Sequence, residues 1–158
     1  MRIKSSQSYI FQKPISAYQI LEKAAEILSE RYIRTEAFSR PEATMDYLSC
    51  KLGGYDKEIF AVMMLDNQHQ LIEFRELFFG TIDGASVYPR EVVKAVLEVN
   101  ASAVIFAHNH PSGNSEPSQA DKAITKRLSD ALGLIDVRVL DHIVVGETST
   151  SFAERGLL

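Results

Sequence analysis

The stretch Ala107-His108-Asn109-His110-Pro111-Ser112-Gly113-Asn114-Ser115-Glu116-Pro117-Ser118-Gln119-Ala120-Asp121 carries the densest group of potential metal ligands in the sequence. Side chains alternate along an extended segment, so His108 and His110 project to one side and can offer imidazole nitrogens to one ion. Pro111 biases His110 toward the extended conformation that keeps this geometry. With Ser118 as the N-cap of a following helix, Asp121 stands in the first turn and its carboxylate faces back along the loop. Two neutral imidazoles and one carboxylate make a three-ligand set with a fourth position for water, the pattern of a catalytic zinc site rather than a structural one. Such an ion lowers the pKa of its water toward about 7. Iron, cobalt or manganese suit the same ligands. Amide hydrolysis by that water needs a general base and a donor to the oxyanion. Glu58, at the head of the first expected strand, suits the base, and the Ser118 hydroxyl suits the donor. Each residue also has an ordinary explanation: a histidine pair as a plain loop feature, Ser118-x-x-Asp121 as a capping box and nothing more, Glu58 as a solvated charge at a strand end.

These side chains need a scaffold, and periodicity supplies its outline. Residues 1 to 54 read as a helical extension. Ser16-x-x-Gln19 is a capping box, after which Ile20, Ala24, Ile27 and Leu28 share one face. A second helix is signalled by Ser39-x-x-Glu42 with Pro41 early, and Gly53-Gly54 stops it. The domain proper spans 55–158. Ile59 to Leu65 is a short apolar run, expected as a buried strand, with a turn over Asp66 to Gln70 and a returning strand over Leu71 to Phe79. After Gly80 and Gly84, Pro89 opens a helix through Val99, with Val92, Val93, Val96 and Leu97 apolar. Ala103 to Ala107 reads as a strand, 109 to 117 as a loop, and 118 to 132 as a helix stopped by Gly133. Ile135 to Leu140 and His142 to Val145 read as two further strands. The mixture predicts an α/β fold with one central sheet covered by helices.

Composition narrows the function classes. The 158 residues suit a single core, and 46% hydrophobic with 24% charged residues excludes a wholly disordered, collagen-like or coiled-coil chain. Seventeen basic against 21 acidic residues leave a net charge of −4, which gives no electrostatic support for nucleic-acid binding. The single cysteine, Cys50, rules out an intrachain disulfide and a cysteine-based metal cage. It lacks a basic neighbour to activate it and reads as packed. No apolar run reaches the ~18 residues of a membrane span, and the opening residues lack a secretory signal's apolar region, so a cytoplasmic location is expected. His69 falls in the hairpin turn and reads as exposed and inert. His142, after Asp141, reads either as a hydrogen-bonded core histidine or as a residue orienting a metal ligand. Glu91 suits the positive end of the helix dipole; Arg90, which could bind a substrate carboxylate or a sheet carbonyl, reads rather as part of a structural ion pair, and the Tyr, Phe and Met residues of the strands read as core.

The run His108-x-His110-Pro111, six residues, then Ser118-x-x-Asp121, resembles the JAMM (MPN-type) metalloprotease motif, which also has an upstream Glu. Gly80-Thr81, Pro89-Arg90-Glu91-Val92, Asp141-His142-Ile143 and Ser151-Phe152-Ala153-Glu154-Arg155-Gly156 look like the RadC branch of that family. The likeness runs from Tyr55 to Leu158. It implies a cytidine-deaminase-like α/β fold, a curved sheet flanked by helices. By motif position it implies His108, His110 and Asp121 as zinc ligands, Glu58 of Glu58-Ile59-Phe60 as general base and Ser118 as oxyanion donor. Residues 1 to 54 show neither the G-x-G hairpin nor the basic cluster of the helix-hairpin-helix part of longer RadC proteins, and so resemble the short, prophage-type form.

The leading expectation is therefore a zinc metallopeptidase or isopeptidase acting on a protein or peptide. The alternative is a non-catalytic accessory protein of DNA repair or of a mobile element, identifiable by metal-independent DNA binding. A nucleobase deaminase is set aside, because its zinc site needs H-x-E with P-C-x-x-C. The sequence leaves substrate and oligomeric state open.

Overall fold

The computed structural model describes residues 9–33, 41–80 and 87–158 of the protein. Ser39 of the second capping signal, Thr81, Gly84 and the opening residues 1–8 lie outside them. Helices α1 (Ala17–Ile33) and α2 (Pro41–Leu52) precede strands β1 (Ile59–Leu65) and β2 (Leu71–Phe79). Helix α3 (Pro89–Glu98), β3 (Ala103–Asn109), α4 (Gln119–Gly133), β4 (Arg138–Val145) and β5 (Ser149–Ser151) follow. The sheet order is β2-β1-β3-β4-β5. Among the described residues, β3 and β4 run parallel, and the β2–β1, β1–β3 and β4–β5 pairs are antiparallel. The expected architecture, one sheet flanked by helices, is what the chain forms.

Every residue of β1 and β3 is buried, which explains why these strands read as continuous apolar runs rather than alternating ones. Their side chains divide between two cores. Ile59, Ala61, Met63 and Leu65 meet Ala25 of α1 and Tyr47, Leu48 and Leu52 of α2 on one face. Phe60, Val62, Met64, Val104 and Phe106 meet Val92 and Val96 of α3 and Leu128 and Leu132 of α4 on the other. The side chains of the candidate metal cluster lie at one end of this second face.

The Ser16 capping box is present, with Gln19 N donating to Ser16 Oγ at 3.2 Å and Ser16 N donating to Gln19 Oε1 at 2.8 Å. The buried stripe of α1 is turned from the expected one: Ile20 is exposed and Ala25, not Ala24, is fully buried. In α3, Leu97 is likewise exposed and Ala95 buried. The hairpin turn is built by Asp66, whose Oδ1 accepts from Gln68 N at 2.8 Å and Gln70 N at 2.9 Å. His69 in that turn is half-buried rather than exposed, and its Nε2 accepts from Arg138 Nη2 at 3.2 Å. Phe79, at the end of β2, is exposed rather than core. The Arg90–Glu91 pair forms at 3.8 Å on the surface. Cys50 packs against the first core, and burial pushes its thiol up.

The carboxy-terminal strands differ most from expectation. Residues 135–137 are turn and connection, with Asp136 at φ 57°, so the two predicted strands are one, β4, starting at Arg138. A third, polar strand, β5, was not signalled at all. The β3–β4 pairing contains a register shift: Val104 pairs with Val139, but Ile105 pairs with Asp141. Without it, His142 would pair with Ala107 and face the α1–α2 side. With it, His142 pairs with Phe106 and faces the same side as His108. Among the described residues, no helix is long and apolar enough to cross a membrane.

Candidate metal centre

His108 is the penultimate residue of β3 and is fully buried; His110 follows the strand and is half-buried. Phe60 of β1 pairs with His108, and extending that antiparallel register sets Glu58 opposite His110, on the same sheet face. Ser118 caps α4 and places Asp121 at the third helical position, with the reciprocal bonds Asp121 N to Ser118 Oγ at 3.1 Å and Ser118 N to Asp121 Oδ2 at 2.7 Å. The capping box of Ser118 and Asp121 is thus present, and Asp121 also belongs to a cluster of potential metal ligands. Asp121 Oδ1 lies 3.3 Å from His108 Nε2, and Oδ2 lies 3.7 Å from His110 Nε2.

The two Nε2 atoms are 3.0 Å apart. One ligand atom from each of Glu58, His108, His110 and Asp121 lies within 4.8 Å of the others. Ligands bound tetrahedrally at about 2.0–2.1 Å stand about 3.3 Å apart, so the His108, His110 and Asp121 spacings suit a shared ion. The donor set, two imidazoles and a carboxylate, suits zinc chemically.

Neighbouring groups hold each of these side chains. His110 Nδ1 donates to Asn114 O at 2.7 Å, a bond that turns Nε2 toward the cluster. Its loop is fixed to the β4–β5 turn: His110 N donates to Val145 O at 2.8 Å and Glu147 N to Gly113 O at 2.8 Å. Gly113 takes a positive φ of 81°, and a Cβ on Gly146 would stand 2.3 Å from Gly113 O, so both positions require glycine. The ring of His108 stacks on Phe60 at 6.5 Å. Its Nδ1 is 2.8 Å from His142 Nε2, and His142 Nδ1 is 2.6 Å from Thr125 Oγ1. His142 is therefore the buried, hydrogen-bonded histidine that was one of the two readings from sequence, and its partner is His108.

Asn109, between the two histidines, points to the other face. Its Oδ1 accepts from Ile59 N at 2.8 Å, and its Nδ2 donates to Lys57 O at 3.0 Å and Tyr55 O at 3.4 Å. With Gly80 N donating to Glu58 O at 2.9 Å, these bonds fix the backbone on both sides of Glu58. Asn109 and Thr125 were not singled out from the sequence. Asn109 sits inside the motif, where an amide could have been read as a clamp; Thr125 carries no local signal.

The electrostatics follow from burial and neighbours. Burial alone would raise the Asp121 carboxyl, but the adjacent His108 and the bonds from Ser118 outweigh it and hold the group well below the usual carboxylate range. His142 is pushed far below the ordinary imidazole value, first by burial and then by the nearby His108. Burial raises Asp141, against the bonds it accepts from Ser151 Oγ, Ala153 N and His142 N. Among the described residues, no buried side-chain polar atom lacks a hydrogen-bond partner.

Comparison with known proteins matches residues 38–157 to the RadC-like JAB domain, a span that includes α2. A UPF0758 protein of Vibrio cholerae is 65% identical over 158 residues, covering 100% of both chains. UPF0758 proteins of Thioalkalivibrio sulfidiphilus and Pseudoalteromonas translucida are 57% and 55% identical over 88% and 92% of this chain. Those two are longer proteins, of which the chain spans 62% and 66%.

Proposed function

The chain belongs to the RadC-like JAB domain family, and from that premise we propose that it is a zinc-dependent metallohydrolase cleaving an amide or isopeptide bond in a protein or peptide. The family includes zinc metallohydrolases. The observation that carries the reading is the convergence of Glu58, His108, His110 and Asp121 within 4.8 Å at the mouth of a sheet face. His108, His110 and Asp121 are the residues to hold the ion. A divalent ion held there polarises a carbonyl and makes a water easier to deprotonate near neutral pH.

The chain's own groups complete the chemistry. Glu58 takes the proton of the attacking water and passes it to the departing amine nitrogen, a role that needs the carboxylate beside the ligands; its place in the cluster and the bonds fixing the backbone around it support this. Ser118 Oγ accepts from Asp121 N, which leaves its hydroxyl proton to donate to the oxyanion. Asp121 serves the cap with Oδ2 while Oδ1 faces His108.

The test is a zinc-loaded sample incubated with peptide and isopeptide-linked libraries, read by mass spectrometry for new amine ends. Wild type is expected to generate them, and Glu58→Gln and His108→Ala are not. Equal product from Glu58→Gln would remove the base from the scheme. Metal-independent DNA binding without any cleavage would favour an accessory role.

A further inference from the structure

We infer that Thr125 and His142 are positioning residues that fix the tautomer of His108, so that Nε2 is the nitrogen presented to a metal. The inference rests on the zinc reading above and deepens it. The bookkeeping starts from an atom whose role is unambiguous. The backbone oxygen of Asp121 can only accept, and Thr125 Oγ1 lies 2.6 Å from it, so the single hydroxyl proton of Thr125 is spent there. Thr125 Oγ1 must then accept from His142 Nδ1, 2.6 Å away, which places a proton on that nitrogen. His142 is fully buried between Phe60, Phe106 and Phe152, at ring distances of 5.6, 5.9 and 4.7 Å, a surrounding that favours a neutral ring.

A neutral ring protonated at Nδ1 has its lone pair at Nε2. His108 Nδ1, 2.8 Å from that lone pair, is therefore the donor. The proton of neutral His108 sits on Nδ1, and Nε2 is left to face Asp121 and His110. From the other side of the cluster, Asn114 O imposes the same tautomer on His110. The relay also closes on the ligand set, since it begins at the carbonyl of Asp121 and ends at His108. Thr125, one helical turn after Asp121, links two ligands without touching the place where an ion would sit.

The relay is tested with Thr125→Val, which keeps the shape and removes the hydroxyl, and with Thr125→Ser, which restores it. Without an acceptor for its Nδ1 proton, His142 adopts the other tautomer and donates to His108, whose own proton moves to Nε2. In the metal-free protein, imidazole 15N chemical shifts at mildly alkaline pH are expected to show His108 protonated at Nδ1 in wild type and Thr125→Ser, and at Nε2 in Thr125→Val. Zinc affinity by chelator competition is expected to fall about 10- to 100-fold in Thr125→Val and to return in Thr125→Ser. Finding His108 protonated at Nε2 in wild type overturns the relay without any variant. So does a Thr125→Val protein with wild-type tautomer and wild-type affinity. If wild type binds no zinc, the metal reading fails while the tautomer shifts still decide the relay.

Discussion

Replacing Asn109 by alanine separates the holding of Glu58 from the holding of a metal. The amide makes three bonds to the start of β1 and the segment before it, and the shortest, 2.8 Å, satisfies the backbone N–H of Ile59. Ile59 is 2% exposed, so its N–H is shielded from bulk water. An orphaned buried donor costs about 1–3 kcal/mol, and each further lost bond contributes about 0.5–1.5 kcal/mol. The carbonyls of Lys57 and Tyr55 belong to residues nearer solvent and recover part of theirs. A total of about 3 kcal/mol, at about 2–4 °C per kcal/mol for a chain of this size, lowers Tm by about 6–12 °C. Thermal unfolding followed by circular dichroism on metal-free protein reads this directly. His108, His110 and Asp121 are held by other bonds, so zinc stoichiometry is expected to stay at the wild-type level while hydrolysis falls with the displacement of Glu58. An unchanged melting temperature, or loss of zinc as complete as that from a ligand substitution, would refute the assignment of Asn109 as the clamp of the Glu58 segment.

Ser118→Ala removes a cap acceptor and is expected to cost about 0.5–2 kcal/mol in stability, with zinc still bound and hydrolysis reduced about 100- to 1,000-fold if the hydroxyl steadies the oxyanion. A melt beside a turnover assay separates the two effects. For His142, the folded pKa lies below the unfolded value of about 6.5, so its neutral form contributes stability present in full above that pH and lost progressively below it. Metal-free protein is therefore expected to melt at lower temperature near pH 5.5 than near pH 7.5, and His142→Gln to show a shallower dependence over the same window. Equal slopes would show that His142 does not carry the effect.

Much of the candidate site was legible because its proposed ligands are local in sequence. His108, His110, Pro111, Ser118 and Asp121 lie on one strand–loop–helix passage, and strand alternation plus a cap is enough to point three of them together. The limits of β1 and β2 were legible for a similar reason: a wholly buried run and a turn built by Asp66 leave strong local marks. What escaped depends on contacts between distant segments. The register shift beside Leu140 decides which face His142 occupies, and it is visible only once β4 is paired with β3. Strand β5, Ser149-Thr150-Ser151, is too short and polar to show a period, and it is held in part by Ser115 Oγ against Thr150 Oγ1 at 3.0 Å. The burial of Ala25 instead of Ala24 is a difference of one helical position, settled by the docking of α1 on α2 and the sheet. Thr125 and Asn109 matter through partners at separations of 17 and 50 residues.

The central claim is that His108, His110 and Asp121 jointly hold a divalent ion, and metal content tests it most directly. Wild type and Asp121→Ala, purified side by side and shown to be folded by circular dichroism, would be measured by plasma mass spectrometry after equilibration with zinc and removal of the excess. The account predicts about one zinc per chain in wild type and a small fraction of that in the variant. Equal content in the two folded proteins would contradict it.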